Sequence, residues 1–294
     1  MEITKHKSVL LKETIEFLNI RNNGIYIDAT VGMGGHSIEI LSRLDTGLLL
    51  GIDQDSEALE IAEDKLKQTS KKYILVKSNF SQLAEVLKQH SINKVDGVLF
   101  DLGVSSFQLQ KKERGFSFNL NGALDMRMDS STALTAYEIV NTYPQQKLQE
   151  IFSDYGQERW SKRIAEKINY LRSNKTFETT LDLADAVKGA IPKSCWPDKI
   201  HPATKVFQAI RIAVNDEMGN LEKSLNCLSD ILNKDARVLV ISFHSLEDRI
   251  VKKHFNDNSD LYKIITKQPI TATEEELNEN PRARSAKLRV AERN

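Results

Sequence analysis

The chain has little of what marks several large protein classes. It carries two cysteines, Cys195 and Cys227, far apart and without the paired spacing of a zinc site. That predicts reduced thiols and neither a disulfide framework nor a metal. No stretch approaches the roughly 20 consecutive apolar residues that a membrane-spanning helix needs. Near the start, Lys5, His6, Lys7 and Ser8 are followed by a short apolar run that ends at Lys12 and Glu13, unlike a signal peptide. These absences predict a soluble, cytoplasmic protein with no membrane partner. Net charge is missing too. The 41 basic and 41 acidic residues cancel, which argues against coating nucleic acid by bulk charge. What charge there is lies in clusters: Arg159, Lys162, Arg163 and Lys167; Arg282, Arg284, Lys287, Arg289 and Arg293; and the acidic run Glu274, Glu275, Glu276 and Glu279. Each taken singly reads as a solvated face.

At 294 residues and 40% hydrophobic, the chain suffices for one sizeable core and a smaller unit besides. From Gly24 to Asp101, short β-branched runs alternate with amphipathic segments, the rhythm of βα units and a parallel sheet. Strands are predicted over Ile25 to Ala29, Leu48 to Asp53, Tyr73 to Lys77 and Val95 to Phe100. Helices are expected near His36 to Leu44, Ser56 to Gln68 and Ser81 to His90, with Asp55 or Ser56 capping the second and Ser81 the third. After Asp101 the rhythm breaks. A polar stretch runs to Met128, and helical periodicity follows from Ala133 to about Leu171 and around Leu181 to Ile191, predicting an inserted helical subdomain. The core pattern returns with an amphipathic segment over Glu217 to Leu232, a strand over Arg237 to Phe243 and a terminal strand over Ala286 to Ala291. The span from Asn256 to Asn280 reads as a mobile loop. The predicted division is 1–112 with 213–294 for the core, and 113–212 for a mainly helical substrate-recognition subdomain.

The first strand runs through Asp28, Ala29, Thr30 and Val31 into Gly32, Met33, Gly34, Gly35 and His36. Glycines at a strand-to-helix turn let the backbone approach a ligand, and the helix amides beyond favour a polar or anionic group. Asp53, at the end of the next strand, is placed for a carboxylate to accept both hydroxyls of a ribose. The dinucleotide pattern GxGxxG fails, because Gly32, Gly34 and Gly35 give GxGG. A ligand with one ribose and no pyrophosphate fits better than a nicotinamide cofactor, and S-adenosylmethionine is such a ligand. Phe80, after the third strand, is placed either to stack on an adenine or to cap the core.

The fourth strand ends at Asp101, followed by Leu102, Gly103, Val104, Ser105 and Ser106, at the carboxyl edge where doubly wound sheets bind ligands. An aromatic exocyclic amine is a poor nucleophile, and an acceptor must draw on its proton as the new carbon–nitrogen bond forms. Asp101 or the pair Ser105 and Ser106 are the candidates; binding the cofactor or capping a helix is the other reading of Asp101.

Several longer blocks stand in order along the chain. They are His6 to Leu11, Gly34-Gly35-His36, Asp101 to Ser106, Arg114 to Phe118, Leu124 to Met128, His201 to Thr204, Phe207 to Ala209, Ile241 to Arg249 and Asn280 to Ser285. Through them the sequence resembles the bacterial 16S ribosomal RNA cytosine-(N4)-methyltransferase family over essentially its whole length. The stretch between His254 and Asn280 is short beside family members with a longer insertion there. The resemblance implies a Rossmann-like α/β methyltransferase core with a helical insertion between the fourth and fifth strands. It implies S-adenosylmethionine contacts at Gly34, Gly35, His36, Asp53, Phe80, Asp101 and Gln108. It also implies that the substrate is ribosomal RNA in the decoding region of an assembled small subunit.

Under that reading Arg114, Arg127, Lys205, Arg211, Arg249, Arg282 and Arg284 are candidates for phosphate contacts. Phe107, Phe116 and Phe118 are candidates to stack on an extruded base. His201 and His244 are placed to touch substrate or to satisfy a local hydrogen bond. A methyltransferase acting on a small molecule or protein, and a non-catalytic ribosome-assembly factor, are the rival readings. Oligomeric state stays open between a monomer and a homodimer.

Overall fold

The computed structural model describes residues 7–294; His6, which opens the first of the blocks above, lies outside the described residues. Its residues divide into two compact units, one through Gly103 and from Met218 to Asn294, the other Val104–Glu217.

The first unit opens with helix α1 (Leu11–Leu18), entered from Leu10 in the left-handed region. Strands and helices then alternate: β1 (Ile25–Asp28), α2 (Gly35–Arg43), β2 (Leu48–Asp53), α3 (Ser56–Leu66), β3 (Tyr73–Lys77), α4 (Leu83–Gln89) and β4 (Val95–Asp101). Asp55 caps α3 by accepting from the Glu57 amide. Ser81 does not cap α4, which has no side-chain cap: Asn79 instead caps a single 3₁₀ turn, Phe80–Gln82, that leads into it, accepting from the Ser81 amide. The side-chain amide two residues earlier reaches the free N–H groups first.

The second unit is helical. It holds α5 (Ser106–Gln110), α6 (Ala136–Thr142), α7 (Gln145–Asp154), α8 (Ser161–Arg172), α9 (Thr180–Ala190) and α10 (Thr204–Asn215). Val104 and Leu109 pack on its core of Ile139, Phe152, Ile164, Val187 and Ile210. That packing carries the unit back to Val104, ahead of the boundary read at residue 112. Its chain enters the core through a turn at Gly115, where φ is +68° and an added Cβ would meet the Ala123 carbonyl oxygen at 2.2 Å and the Asp125 nitrogen at 2.8 Å. Both neighbours are backbone and cannot swing aside. We expect Gly115→Ala to cost about 3 kcal/mol or more, combining φ strain with overpacking; thermal denaturation of the purified variant checks it.

The chain returns to the first unit through α11 (Glu217–Ile231), β5 (Leu232–Ser242), α12 (Ser245–Asp257), β6 (Tyr262–Ile264), α13 (Glu274–Glu279) and β7 (Lys287–Arg293). The segment read as a mobile loop holds β6 and α13, and Ile270 bridges to Leu288. Its acidic run is anchored. Glu276 accepts from the Leu10 amide at 2.7 Å, Lys7 pairs with Glu279 and Asn280 donates to the Lys7 carbonyl.

The described strands form one seven-stranded sheet in the order β3-β2-β1-β4-β5-β7-β6. β1 to β5 pair in parallel, and β7 runs antiparallel between β5 and β6. Alternation along the strands builds two cores. Ile27, Ile52, Val98, Phe100, Val238 and Val240 enter one, with α4, α11 and α12 residues; Tyr26, Leu49, Leu99, Leu239 and Ile241 enter the other, with α1 and α2 residues. With both faces covered, strands read as continuous apolar runs. Burial of one such side chain, Leu99, contributes about 1.5–3 kcal/mol.

Candidate cofactor and active site

The carboxyl ends of β1, β2 and β4 place Asp28, Asp53 and Asp101 at one edge of the sheet. Each closes its strand, so each is held by the ladder while its side chain reaches beyond it. Between β1 and α2 the chain turns through Gly32 (φ +51°) and Gly34 (φ +78°). An added Cβ at Gly34 would press Ala62 of α3 at 3.2 Å, so glycine serves both the turn and the approach of α3 there.

Asp53 holds this turn. One carboxylate oxygen accepts from the Gly32 amide at 2.7 Å and the other from the Asp55 amide at 2.9 Å. Lys65 of α3 adds a second tie, donating to the Met33 carbonyl at 2.7 Å. Burial pushes the Asp53 carboxyl up to about 6 although its two amide bonds pull the other way. Asp28 is also raised to about 6 by burial, against the Ser37 hydroxyl that donates to it at 2.6 Å and the Thr30 amide. The sequence assigns no role to Asp28 and Thr30, which stand at the end of the first strand, nor to Ser37 and Lys65. The one available signal was that Asp28 is an acid at the end of an otherwise apolar strand.

Asp101 is the most perturbed of the three. Burial, then the charges of Asp28 and Glu247, hold its carboxyl well above the usual carboxylate range. Its backbone amide donates to the Thr30 hydroxyl at 2.6 Å. One carboxylate oxygen lies 3.5 Å from His36 Nδ1, while the other, Oδ1, is buried with no hydrogen-bond partner among the described residues. His36 is itself fixed, its Nε2 3.0 Å from the Val9 carbonyl. Phe80 sits half-buried against the core, edge-on to Phe100 at 5.8 Å.

The residues fit S-adenosylmethionine. The buried carboxylates of Asp28 and Asp53, with no cation paired to either among the described residues, suit a ligand that brings positive charge and hydroxyl donors. These side chains would hold it, and what it would supply is an electrophilic methyl carbon on a sulfonium.

Gln108, Ser105 and Ser106 belong to the second unit. Ser105 caps α5 in a reciprocal box: its hydroxyl accepts from the Gln108 amide, and the Gln108 carbonyl oxygen accepts from the Ser105 amide. Ser106 and Gln108 are buried. His244 caps α12, its Nδ1 accepting from the Glu247 amide, and Glu247 accepts from the Phe243 and His244 amides.

The expected phosphate-binding arginines separate into two groups. Arg114 is buried and donates to the Arg127 and Met128 carbonyls. Arg127 pairs with Asp125 and donates to the Ser130 and Thr132 carbonyls, and Arg211 pairs with Glu217 through two nitrogens. These three guanidiniums are spent on the fold of the helical unit. Lys205 donates to the Gln157 carbonyl. Arg249, Arg282 and Arg284 are exposed and make no ion pair among the described residues. Phe116 is buried in the helical core, 5.9 Å from Arg114. Phe118 packs on His201 and Phe207 at 4.7 and 4.9 Å, and His201 accepts from the Ala203 amide at the start of α10. Phe107 is half-buried under Lys111.

Residues 3–294 match the model of the MraW methylase family. The chain belongs to that family. Relatives include proteins named ribosomal RNA small subunit methyltransferase H from Clostridioides difficile strain 630, 47% identical, and from Halothermothrix orenii strain H 168, 48% identical. Each alignment covers 98% of both proteins. A solved structure of an rRNA-methylase candidate from Clostridium thermocellum shares the fold at a TM-score of 0.50 and 11% identity, over 98% of this chain and 100% of that one. Membership makes the protein a methyltransferase that uses S-adenosylmethionine. It places the Rossmann-like core with methyltransferases of the same family.

Proposed function

We propose that the protein transfers a methyl group from S-adenosylmethionine to the exocyclic amine of a cytidine in the decoding region of small-subunit ribosomal RNA. The observation that carries this reading is near-full-length kinship, at 47–48% identity, with proteins named for that RNA. The cluster of Asp28, Asp53 and Asp101 behind a glycine turn supports it. In this reading Asp53 accepts the ribose hydroxyls while the Gly32 amide holds its carboxylate in place. Gly34, Gly35 and His36 shape the wall for the amino-acid portion, and Phe80 adds an aromatic ring from the same unit.

Asp101 does the proton work. As the carbon–nitrogen bond forms and the carbon–sulfur bond breaks, the amine becomes cationic and must lose a proton. The unpartnered Oδ1 of Asp101 is positioned to take it, and a carboxylate held above its usual range is a stronger base than an ordinary one. Ser105 and Ser106 stay in the proposal as neighbours in sequence that orient α5. Of the candidate arginines, Arg249, Arg282 and Arg284 remain exposed to meet phosphates; His244 caps the helix that carries Arg249, and His201 accepts from the Ala203 amide in the other unit. The 113–212 segment acts in substrate recognition. No described helix is long and apolar enough to cross a membrane, and the reading places the enzyme in the cytoplasm, on the assembled small subunit.

The test is transfer of labelled methyl from S-adenosylmethionine to unmethylated small subunits, with naked RNA and protein extract alongside, followed by nucleoside analysis. Label in N4-methylated cytidine is the expected result. Label in protein or small molecules alone, or none despite cofactor binding, overturns it.

A further inference from the structure

The basic cluster at Arg159, Lys162, Arg163 and Lys167 is not used by the site described above. Helix α8 buries Ser161, Ile164, Ala165 and Ile168 against the helical core. On the opposite side, Arg163, Lys167 and Tyr170 follow one another at helical spacing, with Glu166 among them, Lys162 beside them and Arg159 in the turn before the helix. Successive groups four residues apart rise about 6 Å along a helix, the scale on which phosphates succeed one another along a strand. Arg159, Lys162, Arg163 and Lys167 make no ion pair among the described residues, although the chain as a whole has an acid for every base. Tyr170, at 66%, is the most exposed of the large hydrophobic side chains described. Lys167 Nζ lies 5.9 Å from its ring, and the Arg159 guanidinium lies 5.2 Å from the ring of Trp160.

Isolated cations on a helix are ordinary. Four of them against one acid, Glu166, and leading to an aromatic ring held open to solvent, combine the two elements that bind a nucleic-acid strand: charge along the backbone and a face for a base. Cation–ring contacts of this kind leave one ring face for stacking while the charge stays at hand for a phosphate.

We infer that Arg163, Lys167 and Tyr170 of α8, with Arg159 in the turn before it, form a docking surface for ribosomal RNA, gripping backbone phosphates with the cations and an unpaired base with Tyr170. The inference rests on the proposed RNA substrate and deepens it. It assigns these residues to substrate affinity and to no part of the chemistry.

The test uses full-length protein with Arg159, Arg163 and Lys167 all changed to Gln, and separately Tyr170→Ala and Tyr170→Phe. Methyl transfer to small subunits is measured against salt, with filter binding of protein-free small-subunit RNA and S-adenosylhomocysteine affinity alongside. In the triple variant KM rises about tenfold or more near 0.15 M salt, and the slope of log affinity for the RNA on log salt falls by about 2 to 3. The kcat, the cofactor affinity and the thermal midpoint stay at wild-type values. Tyr170→Ala raises KM about fivefold or more, and Tyr170→Phe restores it, because the ring alone is needed. Unchanged KM and salt slope in an active background overturn the inference. So does a KM defect on subunits with no change in binding to free RNA, which assigns the face to a protein partner. Failure of the wild-type enzyme to methylate any RNA is a separate result and removes the substrate reading itself.

Discussion

Changing Asp53 to alanine is expected to weaken S-adenosylhomocysteine binding at least 100-fold, about 2.7 kcal/mol, measured by titration calorimetry. The loss has two sources. The ribose hydroxyls lose their acceptor, and the Gly32 and Asp55 amides, held at 2.7 and 2.9 Å, are left without theirs; bonds to a charged group contribute about 1.5–3 kcal/mol each. The turn that carries Gly34 and Gly35 loosens as a result. The same carboxyl gives a pH signature of opposite sign for binding and for stability. Its folded value of about 6 lies above the ordinary 3.8, as does that of Asp28. The folded protein therefore binds more protons than the unfolded chain between those values, and ligand-free stability falls as pH rises through that window. Cofactor binding needs the ionised form, so affinity rises with pH and levels off above about 6. A wild-type affinity profile flat from pH 5 to 7 would refute the role given to Asp53.

Asp101→Asn is expected to lower kcat by about 10²–10⁴, the usual contribution of a proton acceptor, with cofactor affinity held within about threefold. Asparagine keeps the shape and an acceptor oxygen, so the 2.6 Å bond from the Asp101 amide to the Thr30 hydroxyl persists. What it removes is the ability to take a proton. In the wild type, activity rises with pH along a limb displaced above the ordinary carboxylate range, because burial together with the charges of Asp28 and Glu247 favours the neutral acid. That limb disappears in the variant. A loss of cofactor affinity in step with turnover would make Asp101 a binding residue only.

Much of this site was legible in the chain because it depends on local patterns. The ends of β2 and β3 fall where alternation and flanking polar residues put them, and the glycine turn with an acid on the next strand is a short-range signal. What escaped was structure made by distant partners. α1 begins after a left-handed Leu10 without a side-chain cap, and its amide partner, Glu276, is far along the chain. α12 is capped by a histidine, a residue type outside the usual Ser, Thr, Asp and Asn. β6 is three residues long and has no periodicity to read. Its neighbourhood looked like a loop because the acidic residues of α13 find their cations and amides at the other end of the chain.

The arginines teach the same lesson from the opposite direction. Arg114 and Arg127 stand in motif-like blocks and Arg211 just beyond one, and a motif does not say what its residues are used for. Here the use is internal: carbonyls at the ends of turns, Asp125 and Glu217. By contrast, the α8 cations sit in no such block, and only the packing of Ile164 and Ile168 shows which way they face.

The place of β7 bears on how the molecule is made. It is the last strand to be synthesised, yet it lies inside the sheet, antiparallel between β5 and β6. Until β7 leaves the translating ribosome, β5 lacks one described neighbour and β6 lacks the strand it pairs with. A nascent or prematurely terminated chain therefore cannot close the core on which its cofactor-binding edge is built. A product shortened ahead of β7 is left with an exposed strand edge for chaperones and proteases to recognise.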